Sequence, residues 1–247
     1  MPIALITGSA RNLGLAFVRH YADRGWRVFA TCRDARNADA LKAMAAASHG
    51  RITVHDMDIS DATAVRRLAS DLAGQSIDLL VNNAGFAGNG RMGVPFGNTD
   101  YGDWLKVFQV NTIGPMMVSE AFAAHVAASD RKIIFTISSR IGPKPTYGVV
   151  AYRAAKSALN QVVKQLAIGL APRGVIAVAA HPGWVQNDKT VGQAALTPDQ
   201  SVAMLAKIIE RLTPADSGKF FDPDGSELPL ITQQTAPKPY AMTHERR

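Results

Sequence analysis

The chain has 247 residues, of which 47% are hydrophobic and 19% are charged, a composition typical of a soluble globular protein. This length suits one large α/β domain with a single core. No run of about 18 uninterrupted apolar residues is present, so we expect no membrane-spanning helix. Met1 and Pro2 lead straight into a strand-like segment with no room for a signal peptide, which predicts a cytoplasmic protein.

The formal net charge of +7 is spread along the chain and forms no basic stripe interleaved with aromatic residues. We therefore expect no nucleic-acid partner, and a basic cleft for a phosphorylated ligand accounts for the charge equally well. Because Cys32 is the single cysteine, an internal disulfide is excluded. The histidines show no pair with the spacing of metal ligands, so no metal ion is expected.

Strand-like and helix-like segments alternate from the first residues onward, which predicts a doubly wound α/β fold with a parallel sheet and crossover helices. The candidate strands are residues 3–6, 26–31, 51–55, 77–81, 133–139, 175–180 and 220–221. The candidate helices are residues 12–24, 38–47, 61–72, 104–126, 152–172 and 198–212. We expect one domain over residues 1–231 and a poorly ordered polar tail over residues 232–247.

Two irregular segments lie between these elements. Residues 86–100 are glycine-rich and long for a connection, which indicates a binding loop or a mobile rim. Residues 184–196 show no periodicity, and we expect them to form a lid over a substrate. Both segments would shape a pocket, but neither identifies what the pocket binds.

The stretch from Ile133 to Lys156 carries the most specific chemistry. Its apolar run suits a strand buried on both faces, with Ser139 at the carboxyl end, where open α/β sheets place ligands. Tyr152 and Lys156 lie four residues apart, on one face of a helix. A nearby ammonium favours the phenolate, and a phenol of pKa near ~10 needs such help to exchange protons at neutral pH. The simpler interpretation is a surface Tyr-Lys pair without function. The position of Ser139 at the end of the preceding strand favours a functional site instead.

A glycine-rich loop follows the first strand and opens the first helix. It reads Thr7-Gly8-Ser9-Ala10-Arg11-Asn12-Leu13-Gly14. Backbone N–H groups at such a helix start can hold a pyrophosphate, so this context makes the loop a candidate dinucleotide site.

Together these motifs resemble the short-chain dehydrogenase/reductase family, over roughly residues 3–230. Ser139, Tyr152 and Lys156 match its catalytic residues, and Asn111 in the long helix matches a fourth. The resemblance implies a single doubly wound (Rossmann) domain with a mostly parallel, seven-stranded sheet. It also implies a cofactor, NADP(H). The residues that it assigns to the cofactor are Gly8, Ser9, Arg11, Asn12, Leu13, Gly14, Arg33, Asp58, Ile59, Asn83, Ala84, Gly85, Tyr152, Lys156, Pro182, Gly183 and Val185.

Two residues depart from the family pattern. Asn12 stands where the family has glycine, and because asparagine tolerates positive φ, we expect a left-handed turn there. Asn187 stands where the family has a threonine that contacts the nicotinamide carboxamide. Two of the matched residues also have a purely structural interpretation. Asp58 would then be a turn residue, and Asn111 would be a buried residue that hydrogen-bonds between helices.

The end of the second strand predicts a preference for NADP(H) over NAD(H). NAD-preferring relatives carry an aspartate there that repels a 2′-phosphate, whereas this chain has Cys32. Arg33 follows it, and Arg11 can approach the same phosphate, so two guanidiniums could donate charge-assisted hydrogen bonds. The alternative is that Arg33 is a solvated charge beside Asp34.

The implied reaction is hydride transfer between nicotinamide and a carbonyl or alcohol substrate. Tyr152 would be the general acid/base, and Lys156 would lower its pKa and hold the nicotinamide ribose. Ser139 would hydrogen-bond the carbonyl oxygen, and Asn111 would anchor a water in a proton relay. The family often forms homodimers or homotetramers through the Asn111 and Tyr152 helices, yet monomeric branches exist, so the oligomeric state stays open.

Phrases at residues 26–34, 96–100, 181–186 and 221–225 resemble the C-factor-type, carbonyl-reductase-like branch of the family. Relatives in this branch are linked to cell-cell signalling, so the alternative function is that of a dinucleotide-responsive signalling or regulatory protein. An intact set of catalytic residues argues against a purely binding role. A serine hydrolase is a third possibility, but the chain has no Gly-x-Ser-x-Gly elbow.

Overall fold

The computed structural model describes residues 1–88, 97–141, 149–187 and 192–230. These residues form one eight-stranded sheet in the order β3-β2-β1-β4-β5-β6-β7-β8. The strands are β1 (Ile3–Ile6), β2 (Arg27–Cys32), β3 (Ile52–Asp56), β4 (Leu79–Asn82), β5 (Ile133–Ile137), β6 (Ile176–Ala180), β7 (Phe220–Phe221) and β8 (Glu227–Leu228). The α-helices are α1 (Asn12–Asp23), α2 (Asp39–Ala47), α3 (Ala62–Asp71), α4 (Tyr101–Phe108), α5 (Gly114–Ala127), α6 (Val150–Leu170) and α7 (Pro198–Arg211).

The sheet is parallel from β3 to β7, and β8 runs antiparallel to β7. The prediction of seven strands is therefore wrong by one short edge strand. Gly225, with φ of +85°, closes the turn that brings β8 back, and its N–H donates to Asp222 O at 2.9 Å. Unlike the apolar, buried Phe220–Phe221 pair of β7, the Glu227–Leu228 pair of β8 is partly exposed and has no apolar run to mark it as a strand. The predicted tail, residues 232–247, lies outside the described residues.

Helices cover both faces of the sheet. Because successive strand residues point to opposite faces, Ile6 joins the core beneath α1, α2 and α7, whereas Leu5 joins the core beneath α3, α5 and α6. Each core contains two fully buried phenylalanines, Phe17 and Phe135 in the first and Phe29 and Phe122 in the second. The doubly wound arrangement predicted from the sequence is confirmed. No helix in the described part of the chain is both long and apolar enough to cross a bilayer.

The predicted helix over residues 104–126 differs from the structure in two ways. It begins at Tyr101, because the Asp100 carboxylate accepts hydrogen bonds from two amides of the first turn and caps it. It is also divided by a π-helical segment, Gln109–Ile113, which lies between α4 and α5. Such segments shift the hydrogen-bond ladder and are frequent at functional sites.

Candidate active site

A cleft of about 500 Å³ opens beside the carboxyl ends of β1 and β4, where the strand order reverses. This volume lies in the range of small-molecule and cofactor sites. Most of the residues predicted to bind the cofactor line it. They are Gly8, Arg11, Asn12, Leu13, Gly14, Arg33, Asp58, Ile59, Asn83, Ala84, Gly85, Tyr152, Lys156 and Val185.

Three predicted cofactor residues are not in the cleft lining and instead support its walls. Ser9 is fully buried, and its N–H and hydroxyl donate to carbonyls of β2 and β1 at 2.9 and 2.8 Å. Pro182 accepts a hydrogen bond at its carbonyl from Ser201 Oγ at 2.6 Å, which joins the turn after β6 to α7. Gly183 has φ of +83° and passes close to the Leu196 side chain.

The glycine loop has the geometry of an anion cradle. Asn12 has φ of +50°, so the left-handed turn predicted there is confirmed. Gly8, with φ of +68°, passes so close to the loop after β4 that a Cβ would lie 2.8 Å from Ala84 Cα. Arg11, at the N-cap of α1, supplies no side-chain hydrogen bond to the first turn. The first N–H groups of α1 are therefore not capped by that residue, and Asn12 and Gly14 of this turn line the cleft.

Asn83 joins the two sides of the cleft. Its Nδ2 donates to Thr7 O at 2.8 Å and to Gly8 O at 3.2 Å. In return, Thr7 Oγ1 accepts from the N–H groups of Asn83 and Ala84, both at 3.0 Å. These contacts tie β1 to β4 through Asn83.

The adenosine end predicted for the cleft is basic. Arg33 lines the cleft together with Arg11. The Asp34 carboxylate is held by Arg36, whose Nε and Nη2 donate to it at 3.0 and 3.2 Å, and this hydrogen bonding lowers the pKa of Asp34. Within the described segments Arg33 has no ion pair and is exposed, an arrangement that fits both a phosphate contact and the alternative of a solvated charge beside Asp34.

Asp58 is both a cleft-lining residue and a turn residue. It lines the cleft, and its Oδ1 also accepts hydrogen bonds from Ser60 N and Ser60 Oγ at 2.9 and 2.6 Å, as a turn residue does. Ile59 lines the cleft beside it and packs so closely on Gly114 that a Cβ there would lie 2.9 Å from Ile59 Cδ1. Asn187, the second departure from the family pattern, lies in the lining of the same cleft.

Tyr152 and Lys156 lie in the first turns of α6. Lys156 Nζ is 5.7 Å from the centroid of the Tyr152 ring and donates to Ile137 O at 2.9 Å. Burial lowers the pKa of Lys156 to about 8 and raises the pKa of Tyr152 to about 12. The lowered Tyr152 pKa predicted from the sequence is therefore wrong for this arrangement. The loss of water around the phenol outweighs the attraction of an ammonium at this distance.

The two serines after β5 point their hydroxyls at different partners. Ser139 Oγ accepts from Ile141 N at 3.2 Å, which leaves its own proton to donate elsewhere. Ser138 Oγ donates to Asn160 Oδ1 at 2.6 Å, and Asn160 Nδ2 donates to Leu230 O at 3.2 Å. Asn160 is fully buried and was not identified from the sequence. Its hydrogen bond with Ser138 joins the end of β5 to α6.

Asn111 is fully buried in the π-helical segment and is not in the cleft lining. Its Nδ2 donates to Phe86 O and Val107 O at 2.6 and 2.9 Å, and its Oδ1 accepts from Phe86 N at 3.2 Å. The side chain thus joins the loop after β4 to α4. This is the buried hydrogen-bonding role named as the alternative, except that one of the two partners is a loop. Pro115 has no N–H to donate to the Asn111 carbonyl, so that carbonyl lacks its usual α-helical partner.

Several cleft residues had not been named individually from the sequence, although Phe86, Ala87 and Gln186 lie in the two segments predicted to shape the pocket. They are Ala10, Met57, Phe86, Ala87, Lys106, Val110, Ile137 and Gln186. Lys106 is the charged residue among them, and its Nζ lies 5.3 Å from the centroid of the Phe86 ring. Lys106 and Val110 lie four residues apart just before Asn111, and that helical spacing is the signal that could have found them.

The chain is similar to proteins that share this geometry. A family described as short chain dehydrogenase matches residues 2–198. A relative named C-signal, from Myxococcus xanthus, is 34% identical over 168 residues, which cover 67% of this chain and 99% of the relative. Two solved structures are each 29% identical and cover 92% of this chain. The carbonyl reductase Sniffer of D. melanogaster has a TM-score of 0.83 with 98% of that chain covered. An NADPH-bound carbonyl reductase from chicken fatty liver has a TM-score of 0.81 with 99% covered.

The family match spans most of the chain, and the solved structures share its fold over nearly their whole length. The strand order, the glycine loop at the switch point and the position of Tyr152 and Lys156 in the same cleft agree with that match, whereas Ser139 is not in the cleft lining. The chain belongs to the short-chain dehydrogenase/reductase family of oxidoreductases, in its carbonyl-reductase-like branch.

Proposed function

We propose that the protein is an NADP(H)-dependent carbonyl reductase or alcohol dehydrogenase that acts on a small molecule. The observation that carries this proposal is the position of Tyr152 and Lys156 in the lining of the same cleft as the glycine loop and Arg33. An acid/base pair and an anion cradle are thus within one continuous cavity. Hydride transfer to a carbonyl needs both of these parts, one for the proton and one for the cofactor.

The residues present fit a phosphorylated dinucleotide. The start of α1 lies in the cleft lining, where its first backbone N–H groups would hold a pyrophosphate, and the close approach at Gly8 and the left-handed turn at Asn12 shape the loop around it. Arg11 and Arg33 would hold a 2′-phosphate through charge-assisted hydrogen bonds, which favours NADP(H) over NAD(H). When bound, the nicotinamide supplies or accepts the hydride.

Tyr152 would act as the proton donor in carbonyl reduction. Burial raises its pKa to about 12, which keeps the phenol protonated at neutral pH. Lys156, whose pKa burial lowers to about 8, remains mostly an ammonium at neutral pH. One of its three N–H groups is used on Ile137 O. The other two would serve the nicotinamide ribose and the phenolate that forms as Tyr152 gives up its proton.

Ser139 would hold the substrate oxygen. Since its Oγ accepts from Ile141 N, its hydroxyl proton is the part free to donate to a carbonyl oxygen as negative charge develops there. Asn111 would contribute through its backbone carbonyl, which can accept a hydrogen bond from a water, whereas its side chain holds the Phe86 loop. Replacement of the Tyr152 proton would then run from that water through Lys156.

A second candidate is a dinucleotide-responsive signalling or regulatory role. The observation in its favour is the 34% identity to the C-signal relative, of which 99% is covered. In this role the cofactor would be bound but its turnover would be dispensable.

The test incubates the purified protein with NADPH and a panel of aldehydes and ketones, and follows loss of absorbance of the reduced nicotinamide. Turnover that Tyr152→Phe abolishes supports the reductase. NADPH binding without turnover on any carbonyl, and without turnover of NADP⁺ on alcohols, would instead favour the binding role.

A further inference from the structure

The start of α6 needs an anchor from outside the helix. Its N-cap residue, Val149, is β-branched and has φ of +37° and ψ of +48°, a left-handed conformation that strains such residues. Val149 gives no side-chain hydrogen bond to the first turn. This turn carries Tyr152, so the position of the phenol depends on whatever else holds the start of the helix.

Arg153 makes such a contact with the turn that follows β5. Its Nη1 donates to Ile141 O at 2.9 Å. The N–H of Ile141 donates in turn to Ser139 Oγ at 3.2 Å. One residue of the turn, Ile141, is therefore bonded at its carbonyl to α6 and at its amide to Ser139. Desolvation lowers the pKa of Arg153, as expected for a guanidinium drawn in against the protein.

We propose that Arg153 is a positioning residue that fixes the Ser139 hydroxyl relative to the Tyr152 phenol. The planar guanidinium makes a charge-assisted bond of defined direction, so it can hold Ile141 in one place. Ile141 then directs the Ser139 hydroxyl by occupying its acceptor site. The two groups that would hold one substrate oxygen are thus connected through a single side chain, and the catalytic importance of this connection rests on the proposed reductase function.

The first readout is amide hydrogen exchange at Ile141, which needs neither cofactor nor substrate. Arg153→Met keeps the apolar stem and removes the donor. We expect Ile141 to exchange at least about tenfold faster, the factor for losing one hydrogen bond from a charged group. Arg153→Lys retains a cation and should give a smaller increase. The matched control is Arg140→Met: Arg140 lies in the same turn, but its Nη1 pairs with Asp222 at 3.1 Å, so Ile141 exchange should not change.

The second readout is steady-state kinetics with NADPH and a carbonyl that the wild type reduces. Arg153→Met should lower kcat by about tenfold to a hundredfold, the cost of a small misplacement of catalytic groups, while KM for NADPH stays level. Arg153→Lys should recover part of kcat. A purely structural role would lower the amount of folded protein and leave the kcat of the folded fraction unchanged.

Each outcome decides the proposal. Unchanged Ile141 exchange in Arg153→Met overturns it, as does an unchanged kcat in an active enzyme or an equal loss in Arg140→Met. If the wild type reduces no carbonyl but Ile141 exchange rises in Arg153→Met alone, the connection through Ile141 stands and the reductase assignment fails. Faster exchange together with a fall in kcat at level KM supports both.

Discussion

The cofactor cradle and the catalytic corner line one cleft but are built in different ways. The cradle, formed by the glycine loop and the loop after β4, is held by backbone-directed bonds such as those of Asn83 and Thr7. The proposed catalytic corner, formed by Tyr152 and Lys156, depends on side chains that reach between α6 and β5, as Lys156 does to Ile137 O. The corner is therefore set by single side chains, whereas the cradle combines the local backbone conformation of the glycine loop with several bonds to Asn83 and Ala84.

Because of this difference, the two regions should respond differently to mutation of a single side chain. A cradle made of many backbone contacts should lose affinity in small steps when one side chain changes, because the other contacts remain. A catalytic corner in which one phenol moves the proton should lose most of its rate when that phenol is removed. The predictions below test this contrast.

The largest effect should come from Tyr152→Phe, which removes the proton donor and keeps the ring. We expect turnover to fall by about 10²–10⁴-fold, the usual size of lost acid-base catalysis, while the Kd for NADPH is nearly unchanged. Tyr101→Phe is the matched control, because Tyr101 lies on α4 with 74% of its surface exposed and should leave turnover intact. A Tyr152→Phe protein that retains most of its turnover would contradict the role of Tyr152 as proton donor.

Removal of Arg33, which lines the cleft just after β2, should have the next largest effect. One charge-assisted bond to a 2′-phosphate contributes about 1.5–3 kcal/mol, so the wild type should prefer NADPH over NADH at least about tenfold. Arg33→Ala should raise KM for NADPH and leave KM for NADH almost level. Arg36→Ala is the control, since Arg36 is 86% exposed and pairs with Asp34. Comparable kcat/KM for both cofactors in the wild type would refute this assignment.

The catalytic corner should also respond to pH. Burial lowers the pKa of Lys156 to about 8, so its ammonium is lost as pH rises through that value, while Tyr152 with a pKa of about 12 stays protonated. Reduction should therefore slow by up to about tenfold per pH unit above this point. Lys156→Arg, which stays charged, should move the decline to higher pH at a reduced rate. A kcat that stays flat to about pH 10 would contradict the coupling of Lys156 to proton transfer.

The same contrast explains what could be predicted from the sequence. The cradle was predictable down to the conformation of Asn12, because strand, glycine loop and helix start follow one another within a few residues. The position of Tyr152 and Lys156 in a ligand cleft was predictable, but the pKa of Tyr152 was not, since it depends on burial by elements far apart in sequence. Roles that arise only from contacts across the fold, such as those of Arg153 and Asn160, had no sequence signal of their own.

The smallest expected effect concerns Asn12, which tests whether the cradle depends on backbone conformation alone. Its φ of +50° suits glycine at least as well as asparagine, so Asn12→Gly should preserve or slightly tighten NADPH binding. A β-branched residue resists this conformation at a cost of about 1–2 kcal/mol, so Asn12→Val should weaken binding roughly five- to thirtyfold if the turn yields. His49, with φ of +52° outside the cleft lining, supplies the control: His49→Val should lower Tm without changing the Kd for NADPH. Equal Kd values for the Asn12 wild type and both of its variants would show that the pyrophosphate cradle does not depend on this turn.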